Sequence, residues 1–229
     1  MTTPTLQVCR SCGGGAPVDV HFCPQCSKIL ALGRHGDYFA YLGLPRKLAI
    51  DQDLLERNFR ALSRQFHPDY FHNATPAERR ASLERSSYLN DAYRTLRHAV
   101  PRLEYLLQIE GMPAGGNGEG STQVPPSLLE EVFDLNEDLD AVREMRAEGA
   151  PEAEWRARLE RARRPIEARR AAHEARLGEL SAQWDALVDR NASSEGRRSV
   201  LTALRDLMVE RNYIHNLLAG IDRELAPAG

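Results

Sequence analysis

Residues 57–69 read R-N-F-R-A-L-S-R-Q-F-H-P-D. Together with Leu55 upstream, Phe59, Leu62 and Phe66 recur at three- and four-residue spacing, which predicts a helix with one apolar stripe that Asp51 can cap. Pro68 has no amide proton and disfavours helical geometry at His67, so the helix ends there. A few residues on, Thr75-Pro76-Ala77-Glu78 combines a threonine cap, proline at the first helical position and glutamate at the third, and a second helix begins. The product is a helical hairpin with His67, Pro68 and Asp69 at an exposed, proline-stiffened turn. Asp69 offers a carboxylate to a basic partner, and His67 a ring donor and acceptor whose charge varies near neutral pH. Arg57, Arg60 and Arg64 form a basic stripe beside the turn. Taken alone it reads as a solvated helix end where cations are favourable; beside the His-Pro-Asp turn it suits an acidic partner surface.

Upstream lie all four cysteines, Cys9, Cys12, Cys23 and Cys26. Two C-x-x-C knuckles ten residues apart suit tetrahedral coordination of one structural Zn²⁺, with no position left open for a catalytic water. Iron in a rubredoxin-like site and redox-active thiols are the competing uses of such pairs. Gly13 eases the turn after the first knuckle. Val18, Val20 and Phe22 alternate, which predicts a short hairpin between the knuckles. His21 and His35 read as packing or surface residues, because four sulfurs already complete the shell.

Downstream, GMPAGGNGEGSTQVPP (111–126) has no apolar periodicity and reads as a flexible linker. Beyond it, breaks at Gly149-Ala150-Pro151 and Asn191-Ala192-Ser193-Ser194 divide the remainder into three helices. Ser127 and Glu130 form a capping-box pattern for the first. Trp155, Leu159, Ala162, Ile166, His173, Leu177, Leu180, Trp184 and Leu187 give the second one long buried side, with Pro165 a point of bending. On the third, Leu201, Leu204, Met208, Arg211, Leu218, Ile221 and Leu225 lie on one side. Both tryptophans therefore read as core. Glu154 with Arg158 and Glu160 with Arg164 predict local ion pairs on an exposed face. The fold class is mainly α: a zinc ribbon (1–36), a helical hairpin (37–110), the linker (111–126) and a C-terminal three-helix bundle (127–229).

Composition narrows the function. The chain's 229 residues amount to about one and a half typical domains. Thirty basic against 33 acidic residues give a net charge of -3, with no long block of one sign, so neither nucleic acid nor membrane is an expected partner. No apolar run reaches the roughly 20 residues that cross a bilayer. The first eight residues, MTTPTLQV, carry no signal or transit pattern, and a cytoplasmic location is expected. No G-x-x-x-x-G-K loop is present, so no nucleotide site is expected on this chain. His67 and Asp69 lack the nucleophile and oxyanion donors of a hydrolase.

In residues 37–110, D-Y-F-A-Y-L-G-L-P, the His-Pro-Asp stretch, L-N-D-A-Y-R-T-L-R and R-L-E-Y-L-L resemble a J domain. Followed by L-L-E-E-V-F-D-L-N-E-D-L, they resemble the HscB-type co-chaperones of iron-sulfur cluster assembly, over nearly all of residues 37–225. The resemblance implies that this chain is no enzyme itself. It implies that His67, Pro68 and Asp69, with Arg57, Arg60 and Arg64, engage a DnaK/HscA-type chaperone and stimulate its ATPase. It further implies that Leu129, Phe133, Asp134, Glu137 and Tyr213 bind an IscU-type scaffold protein. Tyr70 stands where relatives often carry a basic residue, Glu130 where they carry methionine, and Ala141 where they carry an acid. From periodicity alone, Leu129 and Phe133 read as ordinary bundle-core residues. The alternative function is a zinc-ribbon module for nucleic acid or general protein interaction, using the knuckles and the Arg-rich long helix.

Overall fold

A computed structural model describes residues 6–18, 20–32, 37–113 and 128–226. They are mainly helical, with one small two-stranded sheet. Residues up to Ile109 cluster into one compact unit and those from Glu110 onward into a second. Among the residues from 114 to 127, which lie outside the described ones, fall most of the expected linker and the expected cap Ser127.

The first unit opens with strand β1 (Leu6–Val8), antiparallel to β2 (Gly15–Pro17), with Leu6 opposite Pro17 and Val8 opposite Gly15. The first knuckle is the turn of this hairpin: the Gly13 amide donates to the Cys9 carbonyl and the Cys9 amide to the Gly14 carbonyl, both at 2.8 Å. The second repeats the arrangement. A bridge joins Phe22 to Ile29, the Ser27 amide donates to the Cys23 carbonyl, and the Cys23 amide donates to the Lys28 carbonyl. The hairpin expected between the knuckles, at Val18–Phe22, is therefore displaced. Each knuckle is itself a tight turn, so the strands flank the knuckles and the connecting stretch leads from one to the other. After each second cysteine the backbone is left-handed, at Gly13 (φ 75°) and at Ser27 (φ 57°). Glycine takes that conformation freely; serine does so at a cost.

The hairpin follows as α1 (Tyr38–Tyr41), α2 (Gln52–Phe66), a 3₁₀ turn (Pro68–Phe71), α3 (Pro76–Arg97) and α4 (Ala99–Ile109). Asp51 accepts from the Asp53 and Leu54 amides, and Thr75 with Glu78 forms the expected reciprocal box. On α2 the stripe is buried at its ends, Leu55 and Phe66; Phe59 is half-buried and stacks on Tyr93 of α3 at 4.2 Å. Leu89, Ala92 and Leu96 of α3 and Leu103, Leu106 and Leu107 of α4 complete the core.

The second unit is the expected bundle of α5 (Leu129–Ala147), α6 (Glu152–Asp189) and α7 (Ser194–Leu225). Gly149 (φ 77°) and Asn191 (φ 49°) make its two turns, and Ser193 caps α7. Helix α5 starts after Leu128 without a side-chain cap. Of the α6 stripe, Trp155, Leu159, Ile166, His173, Leu180 and Trp184 are buried, and Ala162, Leu177 and Leu187 are half-buried. On α7, Ile214 rather than Arg211 fills the core position. The charges of α6 bridge helices more than the expected local pairs imply: Arg158 reaches Asp138 of α5, while Arg163 and Arg169 reach Asp222 and Glu210 of α7. At one end Trp184 is sealed from solvent, with the Arg197 guanidinium 5.4 Å from its ring centre. Trp184→Ala is expected to destabilise this unit by about 3–5 kcal/mol, the usual result of emptying a buried aromatic site. Urea unfolding of the purified chain checks the value.

Candidate functional site

Three groups of residues carry chemistry. The four cysteine Sγ atoms lie within 4.8 Å of one another, with Cys9–Cys26 and Cys12–Cys23 each separated by 3.7 Å. A tetrahedron with metal–sulfur bonds of about 2.3 Å has edges of about 3.8 Å, so the knuckles are spaced as a four-sulfur metal shell requires. Amide hydrogen bonds from Cys12 and then Ser11 pull the Cys9 thiol down to about 6. Cys26 receives the Lys28 amide, yet burial and the other three sulfurs push it up to about 12. Four neighbouring thiolates repel, and a cation is what allows all of them to ionise together. The four sulfurs are placed so that they could hold one metal ion.

The second group is the turn. His67 follows the last residue of α2 and caps the 3₁₀ turn, its Nδ1 accepting from the Asp69 amide at 3.3 Å. The His67 and Asp69 side chains are 51% and 87% exposed. Tyr70 is also exposed and meets the His67 ring edge-on at 6.1 Å. Arg57, Arg60 and Arg64 are exposed along α2, Arg60 paired with Glu56 one turn back.

Beneath the exposed tip the structure is closely held. Phe66, the last residue of α2, is fully buried. Its carbonyl, among those that helix geometry leaves without an intrahelical donor, accepts from Ser82 Oγ at 2.6 Å and Ser86 Oγ at 2.9 Å. Its ring meets His21 edge-on at 5.0 Å and stacks on Phe22 at 6.1 Å, both from the ribbon. Between the serines on α3, Arg85 is fully buried and lies 5.5 Å from the centre of the same ring. The guanidinium donates to the ribbon carbonyls of Leu30 (2.7 Å) and Ala31 (3.1 Å) and pairs with His21 Nδ1 (2.8 Å). Burial, reinforced by the Arg85 charge, pulls His21 down to about 4, so the ring is neutral and its Nδ1 can accept. A second tie joins Lys28 to Glu78 at 3.0 Å, within the capping box of α3. Hydrogen bonding by Thr75, then by Lys28, holds the Glu78 carboxyl below its usual range.

The sequence reading missed Arg85 and the two serines. Arg85 falls in the register of Ala81, Leu89, Ala92 and Leu96, all buried. An arginine in a core register was the available signal. His21 is a packing residue, as expected; His35 lies outside the described residues.

The third group lies on the bundle. Leu129 and Phe133 are 54% and 71% exposed, while Leu128, Leu135 and Val142 supply the core contacts of α5. Periodicity alone favoured the core for both; the bundle places both outside, because Leu128 and Leu135 take the inward positions. Phe133 and Glu137 line one shallow groove with Asp140 and Arg158. Asp134 lines a cavity of about 300 Å³ between α5 and α6, with Arg161 and Pro165. Tyr213 is half-buried on α7 against the core that contains Leu128 and Ile214.

No protein-family model matches the chain. Over 106 residues, 46% of its length, it is 39% identical to a co-chaperone protein HscB homolog of Vibrio cholerae strain O395, and equally to that of strain N16961. The match spans 61% of the length of these relatives. In fold it is similar to the crystal structure of the human co-chaperone protein HscB, with a TM-score of 0.63 and 23% identity over 97% of this chain and all of that one. No helix among the described residues is long and apolar enough to cross a membrane. The likeness in sequence is thus confined to 106 residues, and the likeness in fold extends over nearly the whole chain.

Proposed function

We propose that this chain is a J-type co-chaperone in iron-sulfur cluster assembly, stimulating the ATPase of a DnaK/HscA-type chaperone while delivering an IscU-type scaffold protein. The observation that carries the reading is the exposed His67-Pro68-Asp69 turn on a firmly held hairpin, in a chain whose relatives are HscB co-chaperones. In this reading His67, Pro68 and Asp69 are the trigger, and Arg57, Arg60 and Arg64 steer an acidic chaperone surface toward it. Leu129 and Phe133 are the apolar anchors for the scaffold, Asp134 and Glu137 an acidic rim, and Tyr213 a neighbouring aromatic. ATP chemistry belongs to the partner. This chain presents a rigid surface to the chaperone and holds the client nearby, coupling client release to hydrolysis.

In this reading residues 1–36 are the ribbon, 37–110 the J domain, 111–126 the linker and 127–229 the client-binding domain. Zinc is the metal assigned to the four-thiolate shell of Cys9, Cys12, Cys23 and Cys26, where it serves the fold, and four sulfurs near 3.7 Å apart accommodate it. A cytoplasmic setting, which keeps thiols reduced, suits such a site.

The test combines ATPase turnover of the chaperone with metal analysis. Adding the chain is expected to raise turnover about tenfold, adding scaffold to raise it further, and the purified chain to carry one zinc. Unchanged turnover in the presence of both proteins overturns the co-chaperone reading. Iron, or a disulfide within either knuckle, overturns the zinc assignment.

A further inference from the structure

The ribbon is more than an appendage to the hairpin, because its contacts converge on the residue before the trigger. Phe66 is gripped from two directions. Ser82 and Ser86 hold its carbonyl from α3, and His21 and Phe22 hold its ring from the ribbon. Arg85 joins the two, facing the Phe66 ring and hydrogen-bonded to the ribbon chain at Leu30 and Ala31. Those acceptors follow the second knuckle by a few residues, and the Leu30 amide donates back to the His21 carbonyl at 3.0 Å. Their positions relative to Arg85 depend on the knuckle keeping its turn. Among the described residues the ribbon core is small, Cys9, Ala16, Cys23 and Leu30 with Val20 and Cys26 packed against it, too little to hold its shape without its metal.

We propose that the metal-loaded ribbon is a brace for the His67-Pro68-Asp69 turn, acting through Phe66, and that Arg85 is the positioning residue that transmits it. Metal loading then sets the fraction of molecules whose turn is ready to dock, and so makes chaperone stimulation depend on ribbon metal. A smaller competent fraction raises the concentration needed for half-maximal stimulation by the same factor, while the maximum is unchanged. The inference deepens the co-chaperone reading and rests on it for its consequence.

The test uses the full-length chain, loaded with zinc or stripped with a chelator, at a temperature where circular dichroism shows the helices intact. Amide hydrogen exchange over residues 67–71 and the half-saturating concentration in chaperone stimulation are measured together. Stripping is expected to speed exchange in that segment and raise the half-saturating concentration, each about tenfold, with scaffold binding unchanged. Zinc-loaded Arg85→Met is expected to do the same, and Arg85→Lys, which keeps a donor, to recover part of the loss. A purely structural role of Arg85 would lower the melting temperature without moving the half-saturating concentration of the folded protein.

If the stripped, helical wild type shows unchanged exchange at 67–71, the brace does not exist. If Arg85→Met fails to fold, the stripped wild type decides alone. If the loaded wild type fails to stimulate the chaperone, the co-chaperone reading falls, and exchange at 67–71 still reports whether the ribbon braces the turn.

Discussion

His67→Gln is expected to reduce stimulation of the partner ATPase by about thirtyfold or more, the loss that follows when a central anchor worth about 2 kcal/mol is removed from an interface. The fold should not register the change. The His67 ring is half exposed, its hydrogen bond is to the adjacent Asp69 amide, and the glutamine oxygen can take that amide in its place. Melting temperature and zinc content should therefore match wild type, and scaffold binding should be untouched. Stimulation by the variant equal to that of wild type would remove the turn from the mechanism. A loss of stimulation accompanied by a loss of helix would leave the trigger role to Asp69→Asn, whose side chain is 87% exposed. That substitution keeps the shape and discards the charge.

Leu129→Ser combined with Phe133→Ser is expected to weaken scaffold binding by about a hundredfold, as the loss of two apolar anchors from one docking patch requires. Both side chains are more than half exposed, so the bundle should keep its unfolding midpoint within the small range typical of surface changes. Leu128→Ser is the control. That neighbouring side chain is fully buried, and the substitution is expected to destabilise the bundle by several kcal/mol. Isothermal titration with the scaffold, alongside urea unfolding, separates the two outcomes. Full scaffold affinity in the folded double variant would move the client site off α5.

Much of this organisation was legible in the residues. The caps at Asp51 and Thr75, the helix stop at Pro68 and the breaks at Gly149 and Asn191 all act locally, and local chemistry can be read from neighbours in the chain. The long stripe of α6 was legible because its spacing persists over many turns. Longer-range choices were not. Whether Leu128 or Leu129 turns inward depends on where α5 meets α6 and α7, and the sequence pattern permits both. Arg158 had an acidic neighbour one turn away, yet it reaches another helix, because a long side chain selects partners in space. The ribbon strands were misplaced for a simpler reason. Alternation at Val18–Phe22 resembles a strand, but the knuckle turns dictate where pairing occurs. The ties from Arg85 to the ribbon span more than fifty positions of chain, and no pattern of spacing announces them.

Leu128 and Leu129 are adjacent letters with opposite fates, one sealed and the other displayed. An α-helix advances about 100° per residue. Exchanging one outward side chain for another would alter what α5 grips and leave its seat in the bundle alone. One codon gained or lost between Leu129 and Val142 would instead spin everything beyond it, drawing charged groups inward and casting Leu135 or Val142 into water. In descendants of this gene, α5 should therefore tolerate changes of letter on its outward face far better than any change in length.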